Sequence, residues 1–215
     1  MTNFEKQILA YIVGVALGDG NLSCPNKRTT RLRITCDNAY PKLGREIKTA
    51  LRFLFPTNKI SYVKRKETNC FDISVYSNRL NEYIPWKVGL GPKHVQNAHV
   101  PSWILENAKY IRPCLKGLIQ TDGSIYKDRG YLMVNFNSII QILANDVKNM
   151  MEQIGYTPHI YKSMQNQDGT NIPFVYLRMF KISFKKLIFL KSNSLKLLLI
   201  IFFMNKKASL GTLFI

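Results

Sequence analysis

The chain has 215 residues, enough for one large domain or two small ones, each able to bury a core. Its 31 Lys and Arg against 13 Asp and Glu leave a formal charge of 31 − 13 = +18, more than solubility requires, which points to a polyanionic partner. The basic residues lie in strand-like segments such as Thr30-Arg31-Leu32-Arg33 and not along one amphipathic helix, which favours nucleic acid over a membrane surface.

From the N-terminus, an apolar stretch at residues 8–17 ends in a glycine-bearing acidic turn and lacks a small-residue cleavage site, so it reads as a helix and not a secretory signal. Arg31-Leu32-Arg33-Ile34-Thr35-Cys36 then alternates with period two, as a half-buried strand does. Leu43, Ile47 and Leu51 follow at a spacing of four, one face of a helix. Two more strand patterns, at residues 57–63 and 71–76, complete the first half. Residues 89–97, with two glycines and a proline, read as a linker, and residues 100–108 as a short helix leading onward.

The same order then recurs. Cys114-Leu-Lys-Gly117-Leu-Ile-Gln-Thr121-Asp122-Gly123-Ser124-Ile125 matches Tyr11-Ile-Val-Gly14-Val-Ala-Leu-Gly18-Asp19-Gly20-Asn21-Leu22, at a repeat distance of 122 − 19 = 103. Tyr131-Leu132-Met133-Val134-Asn135-Phe136 aligns with residues 31–36, Leu143, Val147 and Met151 with the first helix face, and residues 157–163 and 174–179 with the remaining strands. The reading is an α+β chain that uses one unit twice, divided as 1–92, a linker and lead-in helix at 93–113, a second unit at 114–188 and an apolar, Lys-containing tail at 189–215. The run at 197–204 is far short of the roughly 20 apolar residues that span a bilayer.

Gly14 and Gly18, like Gly117 and Thr121, put small residues four apart on one helix face, where two backbones can approach closely. The motif helices are therefore expected to pack on each other, with Gly20 and Gly123 as left-handed caps. Asp19 and Asp122 then sit at helix C-termini, where the macrodipole disfavours a carboxylate. Bringing two such carboxylates together calls for a cation, and oxygen-only ligation is the chemistry of Mg²⁺. Neighbouring metal ions can stabilise the attacking and leaving oxygens of a phosphodiester displacement.

Residues 12–20 and 115–123 resemble the two nine-residue signatures of the LAGLIDADG homing endonucleases, with the third, eighth and ninth positions intact in both. Val100-Pro101-Ser102-Trp103-Ile104 is also similar to single-chain members. The likeness runs from about Tyr11 to about Lys186. It implies two αββαββα units related by a pseudo-twofold axis in a monomer, and motif helices at the interface. It further implies two antiparallel sheets forming a saddle over double-stranded DNA. It also implies Mg²⁺, or Mn²⁺, held by Asp19 and Asp122 with Gly18 and Thr121, and site-specific cleavage of both strands in intron or intein homing. The outward sheet residues would then touch DNA: Arg31, Arg33 and Thr35 in the first half, and Tyr131, Met133 and Asn135 in the second, with Lys162 and Arg178. Arg suits guanine and Asn adenine in the major groove. Lys64, Arg65 and Lys66, near a hairpin tip, suit phosphate or a flanking base. Lys93, in the Gly91-Pro92-Lys93 turn, would stabilise charge on the transferring phosphate, and Thr35 and Asn135 would lie near the nucleophilic water.

Other chemistries find less support. His94 and His99 are five apart in a loop pattern with no third ligand, and Cys24, Cys36, Cys70 and Cys114 form no CxxC pair, so neither zinc nor a disulfide framework is expected. The thiols suit a reducing interior, an organelle or a bacterial cytoplasm. There is no GxxxxGK[ST] loop. The second reading is a non-catalytic nucleic-acid binder on the same fold, a DNA-binding regulator or a maturase acting on intron RNA. The paired aspartates favour the nuclease, since a binder has no use for them.

Overall fold

The structure is a computed structural model and describes residues 1–128, 131–167 and 170–179, all within a compact unit spanning Met1–Lys181. The expected end of the second unit and the tail at 189–215 lie outside the described residues. Helix α1 (Asn3–Asp19) starts at a capping box: the Thr2 hydroxyl accepts from the Glu5 amide at 3.2 Å, and the Glu5 carboxylate accepts from the Thr2 amide at 2.7 Å. The helix is buried without interruption from Ile8 to Gly18. Strands β1 (Gly20–Ser23) and β2 (Arg31–Asp37) follow, then α2 (Pro41–Leu54), β3 (Ser61–Lys64), β4 (Cys70–Tyr76) and a short α3 (Leu80–Tyr83).

The second half repeats this order. After α4 (Ser102–Leu105), the motif helix α5 (Ala108–Thr121) leads to β5 (Gly123–Asp128), β6 (Tyr131–Ser138), α6 (Gln141–Gln153), β7 (His159–Gln167) and β8 (Thr170–Met179). The expected lead-in helix is thus divided. Only residues 102–105 form a separate turn of helix, and Asn107 caps a new helix by accepting from the Lys109 amide at 3.0 Å. A boundary at residue 114 cuts through α5.

Both sheets are antiparallel, ordered β1-β2-β4-β3 and β5-β6-β8-β7. Each alternates one apolar face with one open face. Leu32, Ile34, Phe71, Ile73 and Val75 are buried in the first sheet, where α2 packs, and Val134, Phe136, Val175 and Leu177 in the second, where α6 packs. The two halves are joined chiefly by α1 against α5.

That contact explains the small residues. A Cβ on Gly14 would overlap the carbonyl oxygen of Cys114, one on Gly117 would lie 2.5 Å from the Tyr11 oxygen and 2.6 Å from the Val15 nitrogen, and one on Gly18 would collide with the Thr121 side chain. Gly20 and Gly123 depart from expectation. Gly20 is extended (φ −79°, ψ 146°) and opens β1. It must be glycine because the strand folds back over its own helix: a Cβ would overlap Ala16. At Gly123 the same atom would lie 2.6 Å from the Ile119 oxygen.

The strand registers also correct the alignment of the halves. Gly20 pairs with Ile34 and Gly123 with Phe136, so Arg33 corresponds to Asn135 and Thr35 to Asn137, two residues further on than the sequence match implied. A shift of two preserves the face, because side chains alternate with period two.

Candidate active site and nucleic-acid interface

Where α1 and α5 end, they end together. Asp19 closes α1, Asp122 caps α5, and a Cβ built on Gly18 would lie 3.5 Å from the Asp122 carboxyl carbon. Burial raises the Asp19 carboxyl above the usual range despite the charge of Lys93. Asp122 is pushed up to about 6, first by burial and further by Asp19, with Lys93 opposing. Both carboxylates resist ionisation because each is desolvated and Asp122 also feels the charge of Asp19.

Lys93 is the cation already there. Its Nζ donates to the Leu17 oxygen at 2.6 Å and to the Gly18 oxygen. Burial lowers its pKa, while Asp122 and Asp19 work the other way. The turn that delivers it uses positive φ at Gly89 (86°) and Gly91 (89°), a conformation only glycine adopts without strain. Gln96 ties this turn together, accepting from the Lys87 amide at 2.9 Å and donating to the Lys87 and Gly91 oxygens at 2.9 and 2.7 Å. Sequence reasoning missed Gln96, since a lone glutamine in a loop carries no signal.

A cleft of about 210 Å³ opens beside the carboxylates, lined by Lys93, Asp122, His94, Asn137 and Ser138 among others. Asn137, the true counterpart of Thr35, therefore takes the place beside the site that the sequence reading gave to Asn135. Its backbone N–H donates to the Asp122 backbone carbonyl at 3.3 Å. His94, weighed in the sequence only as a zinc ligand, and Ser138 line the cleft as well.

The residues fit a divalent cation. Two crowded, desolvated carboxylates at negative helix ends gain most from one, and the ligands are oxygens, as Mg²⁺ prefers. Among the described residues no cluster of three or more His, Cys, Asp and Glu competes for it. The Thr121 hydroxyl is turned back to the Gly117 and Leu118 oxygens (3.0 and 3.1 Å), which leaves that residue its carbonyl alone. The Gly18 carbonyl accepts from Lys93.

The open face of the first sheet carries Arg31, Arg33 and Thr35 together, as the alternation predicts. Arg31 donates to the Ser23 hydroxyl at 3.1 Å and lies 6.0 Å from the Tyr76 ring. Arg33 Nε is buried and has no protein partner. Three other expectations are corrected. Met133 shares a face with Asn135 but is only 1% exposed, on a central strand of its sheet. Lys64 and Lys162 are exposed, yet they pair in register with Phe71 and Val175 and so belong to the helix side of their sheets. Arg65 reaches the open face, bonded to Asp72 and Thr35, while Lys66 is exposed beyond the strand.

In the second sheet, Asn135 accepts no bond at its buried Oδ1, though its amide nitrogen lies 3.3 Å from the Tyr126 hydroxyl. Arg178 is in register with Asn135, and Tyr131 with Asp128; the side chains of Tyr131 and Arg178 lie outside the described residues.

Two packed helices ending in paired aspartates, each leading into its own four-stranded sheet, give a fold of the LAGLIDADG kind with two motifs in one chain. The comparisons agree. Residues 109–201 match the family described as the LAGLIDADG-like domain. The homing endonuclease I-DmoI in complex with DNA and Mn superposes with a TM-score of 0.61 at 19% identity, over 88% of this chain and 99% of that one. The I-DmoI complex with DNA and Ca gives 0.58 at 20%, over 87% of each. Full-length DUF199/WhiA from Thermotoga maritima gives 0.59 at 12%, over 94% of this chain and 61% of that one. No curated protein matches by sequence. Intron RNA finds no support in these relatives, and among the described residues no helix is long and apolar enough to cross a membrane.

Proposed function

We propose that the protein is a site-specific DNA endonuclease that cuts both strands of a long duplex by metal-dependent phosphodiester hydrolysis, in the manner of intron or intein homing. The observation that carries this reading is the meeting of Asp19, Asp122 and Lys93 at the ends of the packed motif helices, flanked by two sheets on a chain of charge +18. Asp19 and Asp122 would hold Mg²⁺ or Mn²⁺, whose role is to polarise the scissile phosphate and lower the pKa of a bound water. Lys93 would exchange its carbonyl partners for the phosphate and stabilise charge developing there. Asn137, and Thr35 at the equivalent position of β2, would orient water. The open faces supply groups for DNA, including the Arg33 donor and the Asn135 acceptor that have no protein partner.

The test is cleavage and binding on a duplex library. Affinity should fall by roughly 10³ or more between 50 and 200 mM salt if 6–10 phosphates are contacted, and double-strand cuts should appear with Mg²⁺ and vanish in excess chelator. Calcium should support binding better than cutting. Tight, salt-sensitive binding with no cutting under any divalent ion would establish the binding-only alternative. A flat salt titration would exclude nucleic acid as the partner.

A further inference from the structure

An acidic side chain stands in the middle of the face that the proposed function turns toward DNA. Asp72 lies at the centre of the first sheet, on β4, paired with Thr35 of β2 on one side and Val63 of β3 on the other. A carboxylate there repels phosphate and weakens binding, so its presence needs a reason in the neighbours.

Both of its oxygens are engaged. Oδ1 accepts from the Thr35 hydroxyl at 2.8 Å and from Arg65 Nη2 at 3.0 Å, and Oδ2 accepts from Arg65 Nε at 3.1 Å. Arg65 Nη2 also donates to the Thr35 oxygen at 3.2 Å, closing a ring of three side chains from three positions of the sheet. The two-pronged contact fixes the plane of the guanidinium, as a point charge cannot. Asp72 is well covered, 16% exposed, while Arg65 keeps 37% of its side chain open. Burial alone would raise the Asp72 carboxyl. The bonds from Arg65 and Thr35, with the charges of Arg65 and Arg33, outweigh it and hold the group below the usual carboxylate range, so it stays ionised at neutral pH.

The equivalent row of the second sheet is built otherwise. Asn137, Tyr176 and Tyr161 stand where the first sheet has Thr35, Asp72 and Val63, and the two tyrosine rings stack at 5.1 Å. The ring of Asp72, Arg65 and Thr35 is therefore a property of one half and not a requirement of the fold.

We propose that Asp72 is a specificity-determining positioning residue, which together with the Thr35 hydroxyl presets Arg65 to read base edges in one half of the DNA target. Arg65 thereby differs from Lys66, which is exposed beyond the strand and would serve phosphate. The proposal rests on the DNA-binding reading above. Its physical sense is a trade: the carboxylate lowers affinity for every sequence and restricts which sequence is held best.

The experiment uses the full chain in Ca²⁺ and a duplex library with a randomised central segment, and reads the base preference at each position among retained molecules. Wild type, Asp72→Asn, Arg65→Ala and the double variant are compared, with thermal melting to confirm folding. Asp72→Asn should retain mixed-sequence duplex as tightly as wild type or more tightly, while preference at a few adjacent base pairs of one half-site falls about tenfold and the rest is unchanged. Arg65→Ala should lose preference at the same positions, and adding Asp72→Asn to it should change nothing more. If Asp72→Asn does not melt cooperatively, Thr35→Val, which removes one arm of the ring, carries the same expectation. Unchanged preference, uniform weakening, or a further change in the double variant would each overturn the proposal. Should wild type itself retain no duplex, the DNA-binding reading falls as well.

Discussion

The two halves share a backbone plan and differ in the chemistry set upon it. On the helix side they are near copies: Ile47, Ala50 and Leu51 of α2 find counterparts in Val147, Met150 and Met151 of α6, and all are buried. On the open side Arg33 stands opposite Asn135, and a charged ring opposite an aromatic stack. The core face must satisfy packing, which tolerates only apolar groups of the right size. The open face is free of that constraint, and on the proposed reading each half of a duplex would offer it different groups.

A second asymmetry lies inside the interface. Val13 of α1 is replaced at the matching point of α5 by Lys116, which is just 1% exposed, pairs with Glu46 of α2 and lies 5.6 Å from the Tyr11 ring. Gln120 donates to the same Glu46 at 3.0 Å. The counterpart of Glu46 is Asp146, which accepts instead from the Val100 amide at 2.9 Å. One half thus meets the other through a buried ion pair, and the second uses its acid to fasten the connecting segment.

The strongest test of the symmetric part is Asp19→Asn and Asp122→Asn. If the two helix ends serve one centre, each variant should lose cleavage by at least about 10²-fold with DNA binding retained, measured by cleavage and retention on one duplex. A variant that cuts both strands at the wild-type rate would remove its aspartate from the chemistry. The same variants should be more stable without metal. The Asp122 carboxyl is raised in the fold from its ordinary 3.8 to about 6, so between these values the folded chain holds a proton that the unfolded chain has lost. Stability of the metal-free protein should therefore fall as pH rises through this window, by roughly 1–3 kcal/mol, and remain lower above it. Denaturant melts of Asp122→Asn should show a smaller fall, the remainder coming from Asp19, and metal affinity in the wild type should weaken as pH drops below about 6.

Breaking the asymmetric contact should cost less than activity but much of the stability. Glu46→Ala removes the carboxylate paired with the buried Lys116 and should destabilise by about 3–5 kcal/mol, whereas Glu46→Ala with Lys116→Met should recover most of it. A single variant that melts like wild type would show that the pair does not join the halves.

The smallest effect separates the open faces. Arg33→Ala should alter base preference in one half-site by roughly 1–3 kcal/mol, and Tyr161→Ala in the other, with little overlap in cleavage profiles. Shared positions would mean that the faces are not divided between half-sites.

The repeat, the small-residue helix faces and the paired aspartates were legible in the sequence because each depends on local spacing: period four on a helix, period two on a strand. The charge of +18 pointed to a polyanionic partner. Register and coverage were not legible. Arg33 against Asn135 is settled by hydrogen-bond pairing across strands, and the longer turn between β1 and β2 hides it from a residue-by-residue match. Met133 reads as outward from alternation, but burial depends on neighbours contributed by other strands. Lys93 reaches the Leu17 and Gly18 carbonyls from 76 and 75 residues away, and Asp72 gains its partners from 7 and 37 residues away. Local periodicity carries no information over such distances, so the motif helices follow from the chain itself, while the lysine between them and the ring on the first sheet exist only once the chain is folded.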